Sequence, residues 1–345
     1  MMTAGKKGAD MISKRQFLAG GGALGLTLAG GIARAADGPV TVPIHVYRER
    51  VTVIPVTLDG KGPYPFALAT GSPLNVIDGD LATDLGLAPA HVLRNLLLDN
   101  KSVSQGQVDS SREVACDAVA IGAYGMGRRI FTVDTIRPEH MAHHIKGLSR
   151  PDFPRGVVGT NTFLDAPCVI DLAGGQATFY PVGAPDLSGF AEVDIHLENT
   201  DMSGDKSLVI HTRLDGERLD CFPDSGGNTE LYLTSRYVRK HHLWDAFTDF
   251  SEHDADAHNP SRGKVRQVRM RGFTLGPLVF DEINVSLADP LHSDHLDEAG
   301  VTAVVGRGLL SQAVMVFADG HLYMRANATF APVSAPYVEP VKDED

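Results

Sequence analysis

The chain has 345 residues, of which 43% are hydrophobic, and a formal net charge of -12 at pH 7. That is enough apolar material for two packed lobes of ordinary domain size, and the acidity argues against nucleic acid or an anionic membrane surface as a partner. Its three cysteines, Cys116, Cys168 and Cys221, are too few for a disulfide framework, and no pair has the spacing of a metal site.

Residues 1–35 read as an export signal peptide. Lys6, Lys7, Lys14, Arg15 and Arg34 outweigh Asp10 there, so the rest of the chain, without this net +4, stands at -16. Ser13-Lys14-Arg15-Gln16-Phe17-Leu18 precedes a Gly/Ala/Leu stretch from Ala19 to Ile32, and Ala33-Arg34-Ala35 follows as a small-residue cleavage region. The apolar part is too short and glycine-rich to cross a bilayer. This leader resembles a twin-arginine signal with Lys14 in the first arginine position, and it implies a periplasmic or secreted protein with no membrane insertion once the signal is removed. Residues 36–50 read as a linker or a first edge strand.

From residue 51 onward the chain is written twice. Val53-Ile54-Pro55-Val56-Thr57-Leu58-Asp59-Gly60 is matched by Val209-Ile210-His211-Thr212-Arg213-Leu214-Asp215-Gly216 at an offset of 156. Each is an apolar-rich strand ending in a Leu-Asp-Gly turn. The next strand in each copy delivers a motif, Phe66-Ala67-Leu68-Ala69-Thr70-Gly71-Ser72 in the first and Cys221-Phe222-Pro223-Asp224-Ser225-Gly226-Gly227 in the second. Short helices are predicted over Leu81 to Leu87 and Ser235 to Leu243.

Further along, Val119-Ala120-Ile121-Gly122 answers Phe273-Thr274-Leu275-Gly276 at an offset of 154, as two hairpins around a glycine turn. Then come Gly156-Val157-Val158-Gly159 and Ala303-Val304-Val305-Gly306, followed by Phe163-Leu164 and Leu309-Leu310, and by closing strands over Cys168 to Tyr180 and Val314 to Met324. The segment from Ala331 to Asp345, with three prolines and a charged end, reads as a disordered acidic tail.

Four landmarks in one order at a nearly constant offset resemble the pepsin-like and retropepsin-like aspartic proteases, and more closely the exported bacterial aspartyl-protease-like proteins with two retropepsin-type lobes. The resemblance covers about Val51 to Arg325. It implies an all-β, bilobal pepsin-like aspartic protease fold, made of two retropepsin-type β-barrel lobes with short helices. The lobes would span residues 51–185, with the degenerate motif, and residues 186–330, with Asp-Ser-Gly.

The same resemblance assigns the site. Asp224 takes the surviving catalytic position and Ala69 the vacated one. Thr70 and Ser225 brace the motif loops, and Gly71 and Gly226 permit the close turn. The apolar-apolar-Gly segments, Val157-Val158-Gly159 and Val304-Val305-Gly306, pack beside their own motif loops. A flap would lie within Ser102 to Val119, with Gln105-Gly106-Gln107 at its tip. Pro223, directly before Asp224, departs from the family pattern by removing a strand N–H.

The chemistry needs two carboxylates that share one proton, one to activate water and one to donate to the carbonyl oxygen. Ala69 supplies neither proton nor charge, and Asp78 and Asp80 fall at the start of the outer helix, facing away from the cleft. The expectation is an exported aspartic-protease-family protein with a degenerate dyad, inactive or strongly impaired, that binds a peptide or protein ligand in the interlobe cleft. The alternative is an active aspartic-type endopeptidase using Asp224 alone. A monomer is expected, because the two lobes already occupy each other's dimer surface. No cofactor and no metal are expected: the runs around His140-Met141-Ala142-His143-His144 and His253 to His258 have zinc-type donors but lie in polar stretches without a placed third ligand. The basic run from Arg262 to Arg271 reads as the solvent face of a strand.

Overall fold

The computed structural model describes residues 37–47, 51–90, 113–134, 153–199, 206–227, 229–255, 263–292, 296 and 300–337. The segment expected to be a signal peptide, the expected flap tip Gln105-Gly106-Gln107 and the His140 to His144 run lie outside them. In chain order the first half contains β1 (Val40–Pro43), β2 (His45–Tyr47), β3 (Val51–Leu58), β4 (Lys61–Leu68), β5 (Val76–Asp78), α1 (Gly79–Leu85), β6 (Ala88–Pro89), β7 (Glu113–Ile121), β8 (Tyr124–Asp134), β9 (Gly156–Val158), α2 (Thr160–Leu164), β10 (Cys168–Asp171) and β11 (Gln176–Phe179). The second half contains β12 (Ala191–Val193), β13 (Ile195–Asn199), β14 (Lys206–Leu214), β15 (Glu217–Asp224), β16 (Leu231–Leu233), α3 (Ser235–Lys240), β17 (Ser251–Asp254), β18 (Lys264–Leu275), β19 (Leu278–Ala288), β20 (Ala303–Gly306), α4 (Arg307–Leu310), β21 (Ala313–Ala318) and β22 (His321–Ala326).

The duplication in sequence is a duplication in topology. One 8-stranded sheet runs β2-β3-β4-β9-β5-β8-β7-β6 and the other β13-β14-β15-β20-β16-β19-β18-β17, strand for strand the same order. In each, one extra pairing, β3 with β7 and β14 with β18, closes the sheet on itself, giving two closed 6-strand barrels. Closure removes the free edges that an open sheet would have to protect. The expected fold class, all-β with two barrel lobes and short helices, is therefore the observed one.

Local chemistry sets the turns. Both Leu-Asp-Gly hairpins place two consecutive residues in the left-handed region, Asp59 (φ 46) with Gly60 (φ 76) and Asp215 (φ 49) with Gly216 (φ 82). That is the two-residue turn whose twist suits antiparallel strands, and Asp-Gly is its favoured sequence. Asp319 (φ 52) and Gly320 (φ 79) make a third such turn between β21 and β22. Helix α1 begins two residues before the predicted Leu81 and closes on Gly86, whose φ is 68. Its counterpart α3 ends earlier than expected, and His242 (φ 53) takes the left-handed position.

The closing strands form a third, 6-stranded sheet shared by both halves, in the order β1-β11-β10-β21-β22-β12. Its centre is the antiparallel pair β10 and β21, with Cys168 opposite Phe317 and Asp171 opposite Val314. Cys168, Ile170, Met315 and Phe317 are all buried in one apolar cluster that extends into both barrels. The edge strands dock alike: a Cβ on Gly122 would lie 2.4 Å from Val42 Cγ1, and one on Gly276 would lie 2.9 Å from Val193 Cγ2. Of residues 36–50, Val40–Pro43 form an edge strand, β1, of the shared sheet.

Two other expectations are corrected. Residues 331–337 are docked, not free: the Asp281 N–H donates to Pro332 O at 2.7 Å, the Ser334 N–H to Glu282 O at 2.9 Å, and Asn284 Nδ2 to Ala335 O at 2.8 Å. The basic run is not a bare solvent face either. Arg266 lies between Trp244 and Phe250, 4.2 and 4.3 Å from their ring centroids, and pairs with Glu252 at 2.8 Å. Arg269 pairs with Glu282 at 2.8 Å.

Phe317 joins the shared sheet to α2 through Phe163, with ring centroids 6.0 Å apart. Phe317→Ala should lower the unfolding free energy by about 3–5 kcal/mol, measured by urea titration.

Candidate functional site

β4 and β15 run side by side with the apolar-apolar-Gly strands of their own lobes. The pairing is parallel in both cases, with Leu68 opposite Val158 in one and Pro223 opposite Val305 and Asp224 opposite Gly306 in the other. The strands end in the two motif loops, and the loops meet. Thr70 and Ser225 are 1% and 0% exposed and bond reciprocally. The Thr70 N–H donates to Ser225 Oγ at 3.1 Å, and Ser225 Oγ donates to Leu68 O at 2.7 Å. In mirror fashion the Ser225 N–H donates to Thr70 Oγ1 at 3.1 Å, and Thr70 Oγ1 donates to Pro223 O at 2.7 Å. Each hydroxyl both accepts and donates, which satisfies two buried amides and two buried carbonyls across the lobe boundary.

The glycines after the apolar pairs are fixed by sterics. A Cβ on Gly159 would lie 2.3 Å from Leu74 O, and one on Gly306 would lie 2.1 Å from Thr229 O. Their φ values are -92 and -86, so crowding excludes a side chain where backbone strain does not. The motif-loop amides are held in parallel ways: Thr160 N–H donates to Ser72 O at 2.7 Å, and Arg307 N–H to Gly227 O at 3.0 Å.

Pro223 costs no ladder bond that its neighbours could supply. The last residue of β15 paired with β14 is Cys221, opposite Ile210. In an extended strand the N and C=O of one residue point the same way, and the Pro223 carbonyl points at Thr70. The missing donor therefore falls on a side that β14 no longer covers.

Asp224 stands at the meeting point, partly buried. Burial pushes its carboxyl above the usual carboxylate range, while the amides of Gly226 and Gly227 offset part of that effect, the former donating to Oδ1 at 2.9 Å. The lobes differ here. A Cβ on Gly71 would lie 3.2 Å from Asp224 Cβ, so lobe one presses closely on the carboxylate residue. A Cβ on Gly226 would meet, among the described residues, only Asp224 Oδ1, at 3.2 Å. The counterpart contact, Ala69 against Gly226, is not made within that range.

The structure thus brings together Ala69, Thr70, Gly71, Asp224, Ser225, Gly226 and both apolar-apolar-Gly segments. Asp78 does not join them: it precedes α1 and pairs with Arg155 at 3.0 Å. His253 lies in β17, opposite Val265, and among the described residues no group of three or more His, Cys, Asp or Glu could hold a metal ion. Three supporting residues escaped the sequence reading. Thr52 Oγ1 donates to Ser225 O at 3.1 Å, Thr160 Oγ1 donates to Thr70 O, and Asn75 Oδ1 accepts the Gly159 N–H at 2.9 Å. Thr52 lies in an apolar strand and looks like an ordinary β-former, and no local sequence signal marks Thr160, at the start of α2, or Asn75, before β5.

No protein-family model matches the chain, nor does the sequence of any curated protein. Among solved structures it is similar to the aspartic proteinase from Irpex lacteus, at 11% identity and a TM-score of 0.46, over 84% of this chain and 98% of that one.

Thr70→Val and Ser225→Ala each leave a buried amide and a buried carbonyl unpaired. Each should cost about 1–3 kcal/mol, and a double-mutant cycle in urea should show coupling of about 1 kcal/mol, since both act on one joint. A second expectation concerns pH. The folded chain holds the Asp224 proton to higher pH than the unfolded chain, so the stability it contributes is present below the ordinary carboxylate range and lost as pH rises through the raised value. Asp224→Asn should gain on the parent as pH is raised from about 3 to about 7; a constant difference in urea midpoint would contradict this.

Proposed function

We propose that this chain is an exported, aspartic-protease-like protein whose catalytic dyad has lost one carboxylate, and that it binds an extended peptide or protein segment in the cleft between its barrels. The observation that carries the reading is a motif joint with its Thr70 and Ser225 cross-lobe hydrogen bonds made, in which Ala69 precedes Thr70 where Asp224 precedes Ser225. A single carboxylate cannot both take a proton from water and donate one to a carbonyl oxygen. General acid–base assistance is worth about 10²- to 10⁴-fold in rate, and members of one catalytic unit act together, so losing one forfeits most of what the pair supplies. Inactivity or severe impairment follows. The leader supports a periplasmic or secreted location, and the paired lobes support a monomer.

The alternative, an active endopeptidase using Asp224 alone, draws on one observation. The Asp224 carboxyl is raised by burial, in the direction that makes a carboxylate a better general base near neutral pH.

Cleavage of a mixed peptide library from acidic to neutral pH separates the two. The parent and Asp224→Ala should both be inert, and Ala69→Asp should cut at least about 10²-fold faster than either. Cleavage by the parent that Asp224→Ala abolishes would establish the peptidase and end the binding-only reading.

A further inference from the structure

Strand β19 is paired along one side and only partly along the other. β18 pairs with it from Leu278 to Ala288, with Asp281 alone skipped, whereas β16 joins it only from Val285 to Leu287. The stretch from Asp281 to Asn284, upstream of β16, is left open by the barrel, and residues 332–335 occupy it. The Glu282 N–H donates to Pro332 O at 3.4 Å and the Ser334 N–H donates to Glu282 O at 2.9 Å, the pattern of a parallel bridge between Glu282 and Val333. The Asp281 N–H also donates to Pro332 O, at 2.7 Å. Beyond this rung side chains take over. Arg269 Nη2 donates to Ser334 O at 3.0 Å, Arg269 Nη1 to Ala335 O at 3.4 Å, and Asn284 Nδ2 to Ala335 O at 2.8 Å.

All of these bonds end on the main chain of the docked segment. Val333 is 49% exposed, and of residues 331–337 only Ser334 is half-buried. Recognition of this kind selects an extended backbone ahead of particular side chains. Pro332 and Pro336 lie two residues to either side of Ser334, where a regular strand would turn its N–H groups toward β19 as well. Lacking them, the segment cannot zip further along the strand. Its prolines do hold it extended in advance, which lowers the cost of ordering it.

The groups that hold the segment are themselves held without it. Asn284 is 7% exposed; its N–H and Nδ2 donate to Glu230 Oε2 and Oε1 at 2.8 and 3.0 Å, and its Oδ1 accepts from Arg269 Nη1 at 3.1 Å. Arg269 Nη2 also donates to Glu282 Oε2 at 2.8 Å. The anchor of the segment is separate too: Phe330 packs edge-on against Phe280, centroids 5.3 Å apart, and the Ala331 N–H donates to Gln312 Oε1 at 3.0 Å. Residues 332–335 can therefore leave while the anchor stays.

We propose that the open stretch of β19 is a peptide-binding slot on lobe two, separate from the interlobe cleft. Its ligand is an extended, proline-containing segment lying parallel to β19, and residues 332–335 are a tethered occupant that such a segment displaces in trans. The tether sets the threshold, since a short one holds its ligand at an effective concentration of about millimolar. At its inner end the slot abuts Glu230, whose carbonyl accepts the Gly306 N–H at 2.8 Å, so a bound partner would lie beside the segment that follows motif loop two.

Ser334→Pro tests this in the full chain, because it removes the one N–H that β19 accepts from the segment, at the protein surface. Exchange of the Asp281 and Glu282 amides, followed by NMR and referred to those of β16, should speed up about tenfold. The capped peptide of residues 331–337 at about 10 mM should restore most of that protection, and the same peptide carrying Ser334→Pro should not. Adding Arg269→Ala to the Ser334→Pro chain should prevent the restoration. A nitroxide on the peptide's N-terminus gives a second measurement that includes the parent: it should broaden the signals of Asp281 to Asn284, needing about tenfold more peptide in the parent, whose own segment competes. Exchange that Ser334→Pro leaves unchanged, restoration by both peptides alike, or neither restoration nor broadening would overturn the proposal.

Discussion

Two side-chain hydroxyls hold the two barrels tip to tip. Thr70 and Ser225 join their loops by bonds that use only hydroxyls, amides and carbonyls, all out of water. None of these bonds involves the side chain of Ala69 or of Asp224. The joint is therefore independent of the carboxylates it positions, so a carboxylate can be lost while the loops keep their places. A second carboxylate beside Asp224 would add like-charge repulsion in a partly buried place, relieved only by sharing a proton. Alanine at position 69 brings no such repulsion.

The shared sheet is the other tie between the halves, and it differs in kind. The motif joint is polar and local, whereas β10 and β21 pair along their length and bury Cys168, Ile170, Met315 and Phe317 in a cluster common to both barrels. Burial of that sort is non-directional and large, so it sets how strongly the halves associate. The hydrogen bonds at Thr70 and Ser225, with their narrow geometry, set the register. Pro223 is tolerated between the two ties because it sits beyond Cys221, the last residue of β15 paired with β14, and β20 still pairs there.

Much of this was legible in the sequence because it is local. The Leu-Asp-Gly turns, the motif tripeptides and the glycines after Val158 and Val305 each carry a short-range signature, and their recurrence at a near-constant offset implied two like barrels. What was not legible depends on partners distant in the chain. Nothing within Cys168 to Tyr180 says that it pairs with Val314 to Ala318 instead of with its own lobe. Ala331 to Tyr337 has the composition of a free tail, yet it finds Glu282 and Asn284 on β19. Arg266 alternates like a solvent-facing residue, but Trp244 and Phe250 enclose it. Thr52 and Thr160 matter only because folding brings their hydroxyls to the backbone of the motif loops.

Strand β15 gathers the electrostatic consequences on one face. Asp220, Phe222 and Asp224 are its half-buried positions, alternating with buried Leu219, Cys221 and Pro223. Two carboxylates four residues apart thus share a strand and a face but not an environment. Burial raises one, with backbone amides as its only described donors, while an imidazole and a guanidinium lower the other. As pH falls, Asp224 gains its proton while Asp220 still keeps its charge and its hold on His211. A dyad would titrate at the motif loops in two coupled steps, whereas a single Asp224 carboxyl titrates in one. The charge at the motif loops can then change without releasing the pairing at the other end of the strand.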